Sequence, residues 1–286
     1  MTTASGPGGR DVVREFVAPT KVGHSCENGA CHDASVDDIV VGAVLRAARE
    51  RAGVSTASAA ACVGLREARI LRLEAGRATW TAEHAIALAD RYAMAEAEVV
   101  EMRQLFTPRH HHTLPDIGAL PATRLAALEA RASTIRVASR TVPPFLYGWD
   151  SGSRLLPGLR QRPWPGCPVT LLWDDVALEF GEADTARSAA RLRHLAAMVV
   201  AGVLDFHILI PDYDLPFESV GNELVLDDGA TVYVEEQPLM VVYSNGLPAQ
   251  WKKTSLDTQL AAALSTEASL AALHNAADRW DREGAW

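Results

Sequence analysis

The stretch LRAARERAGVSTASAAACVGLREARILRLEAGR, from Leu45 to Arg77, is punctuated by three glycines, Gly53, Gly64 and Gly76. Glycine takes the left-handed backbone that closes a helix or permits a tight turn at little steric cost. The stretch therefore predicts short helices separated at these points. The first begins upstream: Asp37 and Asp38 precede Ile39, Val40, Ala43, Val44 and Ala47, an apolar series at helical spacing with acids at the positive end of the dipole. Ser55 is a natural N-cap for a second helix, Thr56 to Val63, which carries the small residues Ala57, Ala59, Ala60 and Ala61. A third helix runs from about Arg66 to Ala75 and buries Ile70 and Leu73. Working outward, Thr81 caps a fourth (Ala82 to Tyr92), and Glu96 to Phe106 reads as a fifth. Cys62, on the second helix, is expected in the core.

This spacing has a physical cause. Where two helices cross at a wide angle, the residues that face each other must be small, and Ala60 meets that need. Gly64 permits the turn, and Ile70 and Leu73 anchor the third helix. Arg66, Glu67, Arg69 and Arg72 are then left on its exposed side, able to enter a major groove, with Ser55, Thr56 and Arg77 placed to contact phosphate. The whole chain is acidic (27 − 36 = −9), but DNA binding needs only a local basic face. Between Leu45 and Thr79 seven arginines stand against three glutamates, a local balance of +4. The pattern thus points to a mainly α N-terminal helix-turn-helix domain of five helices at 38–106, with double-stranded DNA as its partner.

On either side the composition changes. Residues 1–37 are rich in Gly, Ser and Thr with little periodicity and read as a flexible arm, and 107–119 reads as a linker. From 120 to 286 the pattern is that of an α+β domain. Helix is expected at Leu125 to Ala132, Asp184 to Val200 and Leu256 to Ala277, and strand at Ser133 to Thr141, Val169 to Trp173, Val203 to Ile210, Glu223 to Leu226 and Thr231 to Glu235. Asp228-Gly229 has hairpin-turn chemistry.

Leu45, Arg49, Gly53, Ser55, Ala60, Gly64, Ile70, Leu73, Glu74, Gly76 and Arg77 resemble the lambda-repressor-like (XRE-type) helix-turn-helix family. Thr56 stands where that family usually carries Gln, and Glu67 where a polar or basic residue is common. The later segments LEARASTIRV (128–137), LRQR (159–162), LLWDDVAL (171–178), RLRHL (191–195), VYVE (232–235) and WKKTSLDTQLAAALSTEASL (251–270) resemble the C-terminal domain of unknown function (DUF5753) of actinobacterial Scr1-like, antitoxin-type XRE regulators. That family usually has a Pro-Gly-Leu-Leu-Gln-Thr-like stretch after its first strand, where this chain has Val142 to Trp149 instead. The resemblance implies a DNA-binding transcriptional regulator whose C-terminal domain binds a partner protein or signal. It also implies a homodimer and a small partner protein encoded nearby.

Other classes find less support in the residues. A phosphate-binding glycine loop and a nucleophile elbow are lacking, and no enzymatic activity or cofactor is expected. Asp174 and Asp175, read as strand neighbours, would point to opposite faces, as would Glu235 and Glu236. Asp205, His207, Asp212 and Asp214 read as a polar strand exit rather than a cation site, and His110 to His112 as part of the linker. His24, Cys26, Cys31 and His32 have the ligand types for zinc or a thiol switch, but their spacing fits no standard finger and a plain arm is the favoured reading. No apolar run approaches the ~20 residues of a membrane span. Without a secretory signal core, the expected location is the cytoplasm. Two alternatives stay open: an antitoxin-type protein that sequesters a small partner and binds DNA for autoregulation, and a small-molecule-responsive repressor with a pocket lined by Trp149, Trp164 or Trp173.

Overall fold

In the computed structural model, residues 35–106, 113–116, 121–140, 165–179, 185–210, 221–236 and 240–283 are described. The expectations for the arm up to residue 34, for His110 to His112, Val142 to Trp149, Leu159 to Arg162 and Trp164, and for Asp212 and Asp214 lie outside the described residues. Helices α1 (Val36–Arg51), α2 (Thr56–Cys62), α3 (Glu67–Glu74), α4 (Ala82–Arg91) and α5 (Glu96–Gln104) follow one another with short turns. Hydroxyls cap three of them. Ser35, Ser55 and Thr81 accept the backbone N–H of Asp38, Ser58 and His84 at 3.1, 3.1 and 3.2 Å. Gly53, Gly64 and Gly76 have φ of +65°, +67° and +70°, the conformation for which glycine was expected.

Close packing sets where α3 sits. A Cβ on Gly42 of α1 would lie 2.6 Å from the Leu73 carbonyl oxygen, and one on Gly76 would lie 2.7 Å from the Ile39 side chain. No larger residue fits at either place, so α1 lies directly against the C-terminal end of α3. Ile70 and Leu73 are buried, as are Ala59 and Ala60 of the facing helix. Cys62 is exposed, which corrects its assignment to the core. In a helix of sequence TASAAAC there is almost no amphipathic contrast to say which side is inward.

The C-terminal part comprises β1 (Thr113–Asp116), α6 (Pro121–Glu129), β2 (Ala132–Ser139), β3 (Val169–Asp174), α7 (Thr185–Val200), β4 (Leu204–Leu209), β5 (Gly221–Leu226), β6 (Thr231–Glu236), β7 (Val241–Ser244), α8 (Gln250–Ala262) and α9 (Thr266–Glu283). The strands form one sheet in the order β1-β7-β6-β5-β2-β3-β4. β2, β3 and β4 run parallel, and the remaining pairs are antiparallel. A mainly α N-terminal domain is thus followed by an α+β domain.

Several details differ from the sequence reading, among them β7, which was not expected, and α6, which ends at Glu129 so that Ala132 opens β2. Thr113–Asp116, inside the stretch read as linker, is an edge strand paired with β7. Pro115, which cannot donate to a ladder, is tolerated at a sheet edge. The helix expected over Leu256 to Ala277 is two helices. Ser265 breaks it, its hydroxyl accepting the Ala268 N–H at 3.2 Å to start α9. The connector also closes the other sheet edge, since Leu264 N–H donates to the Ile208 carbonyl at 2.9 Å and Ile208 N–H to Ser269 Oγ at 3.0 Å. Finally, Asp175 is not on a strand. It begins a 3-10 turn (Asp175–Leu178) that Asp174 caps by accepting the Val176 N–H at 3.2 Å.

One face of the sheet is apolar. Ile135, Val137, Leu171, Trp173, Phe206, Ile208, Leu224, Val232, Val234 and Tyr243 join Leu192 of α7 and Leu273 of α9 in a core that continues into α1, α3 and α4. On the opposite face a smaller cluster of Ala138, Leu172 and Leu209 receives Leu256 of α8. α1 touches α3 and α4 and also α6 and β1.

Candidate nucleic-acid interface

Glycine-closed turns at both ends of α3 leave it one buried side. Ile70, Leu73 and Glu74 are buried, while Arg66, Glu67, Ala68, Arg69, Leu71 and Arg72 are exposed. The four sequence-nominated residues Arg66, Glu67, Arg69 and Arg72 therefore share the outward side of one helix. Its rear is held by several independent bonds. Arg49 Nε and Nη2 donate to the Glu74 carboxylate at 2.6 and 2.9 Å, a forked pair under both helices. Trp80 Nε1 donates to the Leu73 carbonyl at 3.0 Å, and Arg131, just before β2, donates to the Glu74 carbonyl at 3.0 Å.

The arginines of the basic segment divide, with Arg51 between the two groups, exposed but 3.6 Å from Glu98. Arg46 is bound by Glu50 at 3.0 Å and Asp227 at 2.6 Å, and Arg49 by Glu74. Arg77 Nη2 donates to the Asp228 carbonyl at 2.6 Å. Arg66, Arg69 and Arg72 have no hydrogen bond or ion pair among the described residues. Within this segment the unneutralised charge thus lies at the start and along the outward side of α3, with the guanidinium groups in water and available to an anion.

The remaining nominated residues lie close by. Ser55 is exposed at the N-terminus of α2, its hydroxyl oxygen accepting the Ser58 N–H. Thr56 is half-buried, and its hydroxyl donates to the Glu67 carboxylate. That contact ties the starts of α2 and α3 together and engages two nominated residues with each other. Arg77 stands apart from the α3 set. Its bond to the β5–β6 turn places one guanidinium nitrogen on the C-terminal sheet rather than free for phosphate.

That turn, Asp227-Asp228-Gly229, is the acidic counterpart to the basic segment. Arg131 donates to Asp227 Oδ1 and Asp228 Oδ2, both at 3.0 Å, and Arg46 reaches Asp227 from α1. Burial alone would push the Asp227 carboxyl up, but the hydrogen bonds from Arg46 and Arg131 outweigh it and hold it below the usual carboxylate range. Sequence reasoning found the hairpin turn but missed this role. The signal was the Asp-Asp pair itself, one acid more than a turn requires.

Residues 40–102 match the family model of a helix-turn-helix domain. This segment runs from within α1 to within α5 and includes Arg66, Arg69 and Arg72, and it points to a DNA-binding regulator. Neither curated proteins nor solved structures match the chain.

Elsewhere the nominated groups are engaged structurally. Trp173 is 1% exposed and packs edge to face on Phe206 at 5.9 Å, so it lies in the core rather than at an opening. His207, inside β4, contacts Asp205 at 3.1 Å and the Leu264 carbonyl at 3.0 Å. Glu235 pairs with the buried Lys252, and Glu236 accepts from Asn222 at 2.9 Å. Among the described residues no group of three or more His, Cys, Asp or Glu side chains could hold a metal. His24, Cys26, Cys31 and His32 lie outside them. No described helix is long and apolar enough to cross a membrane.

Proposed function

We propose that the chain is a sequence-specific transcriptional regulator that binds double-stranded DNA through α3. The observation that carries this reading is the contrast within one basic segment. Arg46, Arg49 and Arg77 are engaged internally, whereas Arg66 at the start of α3 and Arg69 and Arg72 on its exposed side have no partner among the described residues, in a segment matching a helix-turn-helix domain. An acidic chain that leaves three guanidinium groups at and along one short helix without a partner among the described residues is suited to a polyanion. Arg69 and Arg72 would read base edges or phosphates in the major groove, and Ser55 and Thr56 would lie beside the backbone.

One such helix offers few base contacts, so useful specificity requires two copies on adjacent half-sites, and the active species is a homodimer. The C-terminal α+β domain would bind the signal or partner protein. The ties from Arg131 and the Asp227-Asp228 turn to α3 give it a route to influence DNA affinity. The test is binding of the purified protein to its own upstream DNA at several salt concentrations, beside an Arg69→Ala, Arg72→Ala variant. Tight, salt-sensitive binding that the variant loses is the expected result. Binding no tighter than to random DNA in both proteins would sink the proposal.

A further inference from the structure

Leu71 is the one large apolar side chain on the outward side of α3, and it is 52% exposed. A single exposed leucine needs no explanation by itself. This one has a particular setting. It follows the buried Ile70 by one residue, about 100° around the helix, and so leaves the inward stripe altogether. Glu67 and the exposed Ala68 lie about one turn before it on the same side, while Arg72 is one step further round the helix and Arg69 on the other flank, both without a partner among the described residues. The helix beneath is fixed by the Arg49–Glu74 fork, the Trp80 and Arg131 bonds and the glycine contacts with α1. An aliphatic group is thus held on a rigid surface between the inward stripe and Arg72, and nothing among the described residues covers it.

We infer that Leu71 is a specificity-determining residue that reads thymine, packing on the C5-methyl group in the major groove. This rests on the DNA-binding reading above and names what part of the DNA is read. The methyl of thymine is the one apolar group that base pairs present in that groove, and covering it removes two apolar surfaces from water together. Arg69 and Arg72 supply the attraction to DNA and Leu71 the preference among bases. Ala68 is small enough to let the helix approach the base edges.

The test starts from duplexes enriched by the full-length protein from a random library. In the best duplex each thymine is replaced in turn by deoxyuridine, which lacks only the methyl. Wild-type binding should weaken about fourfold at one position per half-site, the effect of losing one buried methyl. Leu71→Ala, an exposed change that leaves the fold intact, should bind the thymine and deoxyuridine duplexes equally at that position. Equal wild-type affinity for every deoxyuridine duplex overturns the inference while leaving DNA binding standing. So does a Leu71→Ala protein that still distinguishes the two bases. Failure to enrich any sequence removes the DNA-binding reading and this inference with it.

Discussion

Arg49 of α1 and Arg72 of α3 are the same residue type in the same basic segment, yet their surroundings are opposite. Arg49 is buried and forked onto Glu74, whereas Arg72 is exposed with no partner among the described residues. The first helps hold α3 in place, and the second is what α3 has to offer. A local charge balance therefore does not measure a binding face. What counts is the charge left after internal pairing, and within the segment 45–79 that falls on Arg66, Arg69 and Arg72.

The largest expected effect probes the paired side. Arg49→Ala leaves the Glu74 carboxylate buried and unpaired and should cost about 3–5 kcal/mol of stability, read from the urea midpoint. A loss under about 1 kcal/mol would erase the distinction between the two arginines. The free side should respond in the other currency. Arg69→Ala with Arg72→Ala should change stability by no more than about 0.5 kcal/mol. Affinity for operator DNA should fall at least about tenfold, and the slope of log K against log salt should flatten by about 2. A matching loss of stability would place these residues with Arg49.

Smaller effects sharpen the picture. Ser55→Ala removes the cap of α2 and should cost about 1 kcal/mol in thermal or chemical unfolding. If DNA affinity falls much further than folding does, Ser55 also contacts phosphate. The least effect belongs to Asp227, whose side chain is 41% exposed. Its folded-state pKa is depressed, so its contribution is fully present above the unfolded value of about 4 and is lost as pH falls through the folded one. Asp227→Asn should flatten that acid limb and cost no more than about 1 kcal/mol at neutral pH, since water screens the pair.

Much of the N-terminal helical domain was legible because its instructions are local. Gly53, Gly64 and Gly76, the Ser55 and Thr81 caps, and the spacing of Ile70 and Leu73 each act over a few residues. Arg66, Glu67, Arg69 and Arg72 fell on the outward side for the same reason. What escaped depends on distant partners. Arg46 meets Asp227 and Arg77 meets Asp228 across most of the chain's length, and no window of sequence contains both ends. The α8–α9 break was obscured by an alanine-rich stretch whose periodicity runs through it, and β1 by Pro115, which argues against a strand unless the strand is known to be an edge. Leu71 is legible in the sequence as an apolar residue off the buried period of Ile70 and Leu73.

The packing of α1 has a consequence for how this regulator could be taken apart. Buried residues occupy nearly its whole circumference, from Val36, Ile39 and Val40 through Val44, Leu45 and Ala48. It touches α6 and β1 as well as α3 and α4. A helix-turn-helix unit is commonly pictured as a cassette that can be clipped from one protein and fused to another. Clipped after α5, this one would carry a greasy seam along its first helix, and a fusion would inherit a tendency to clump. Transplanting the DNA preference proposed for it therefore calls for grafting the outward side chains of α3 onto a self-sufficient scaffold rather than moving the piece whole.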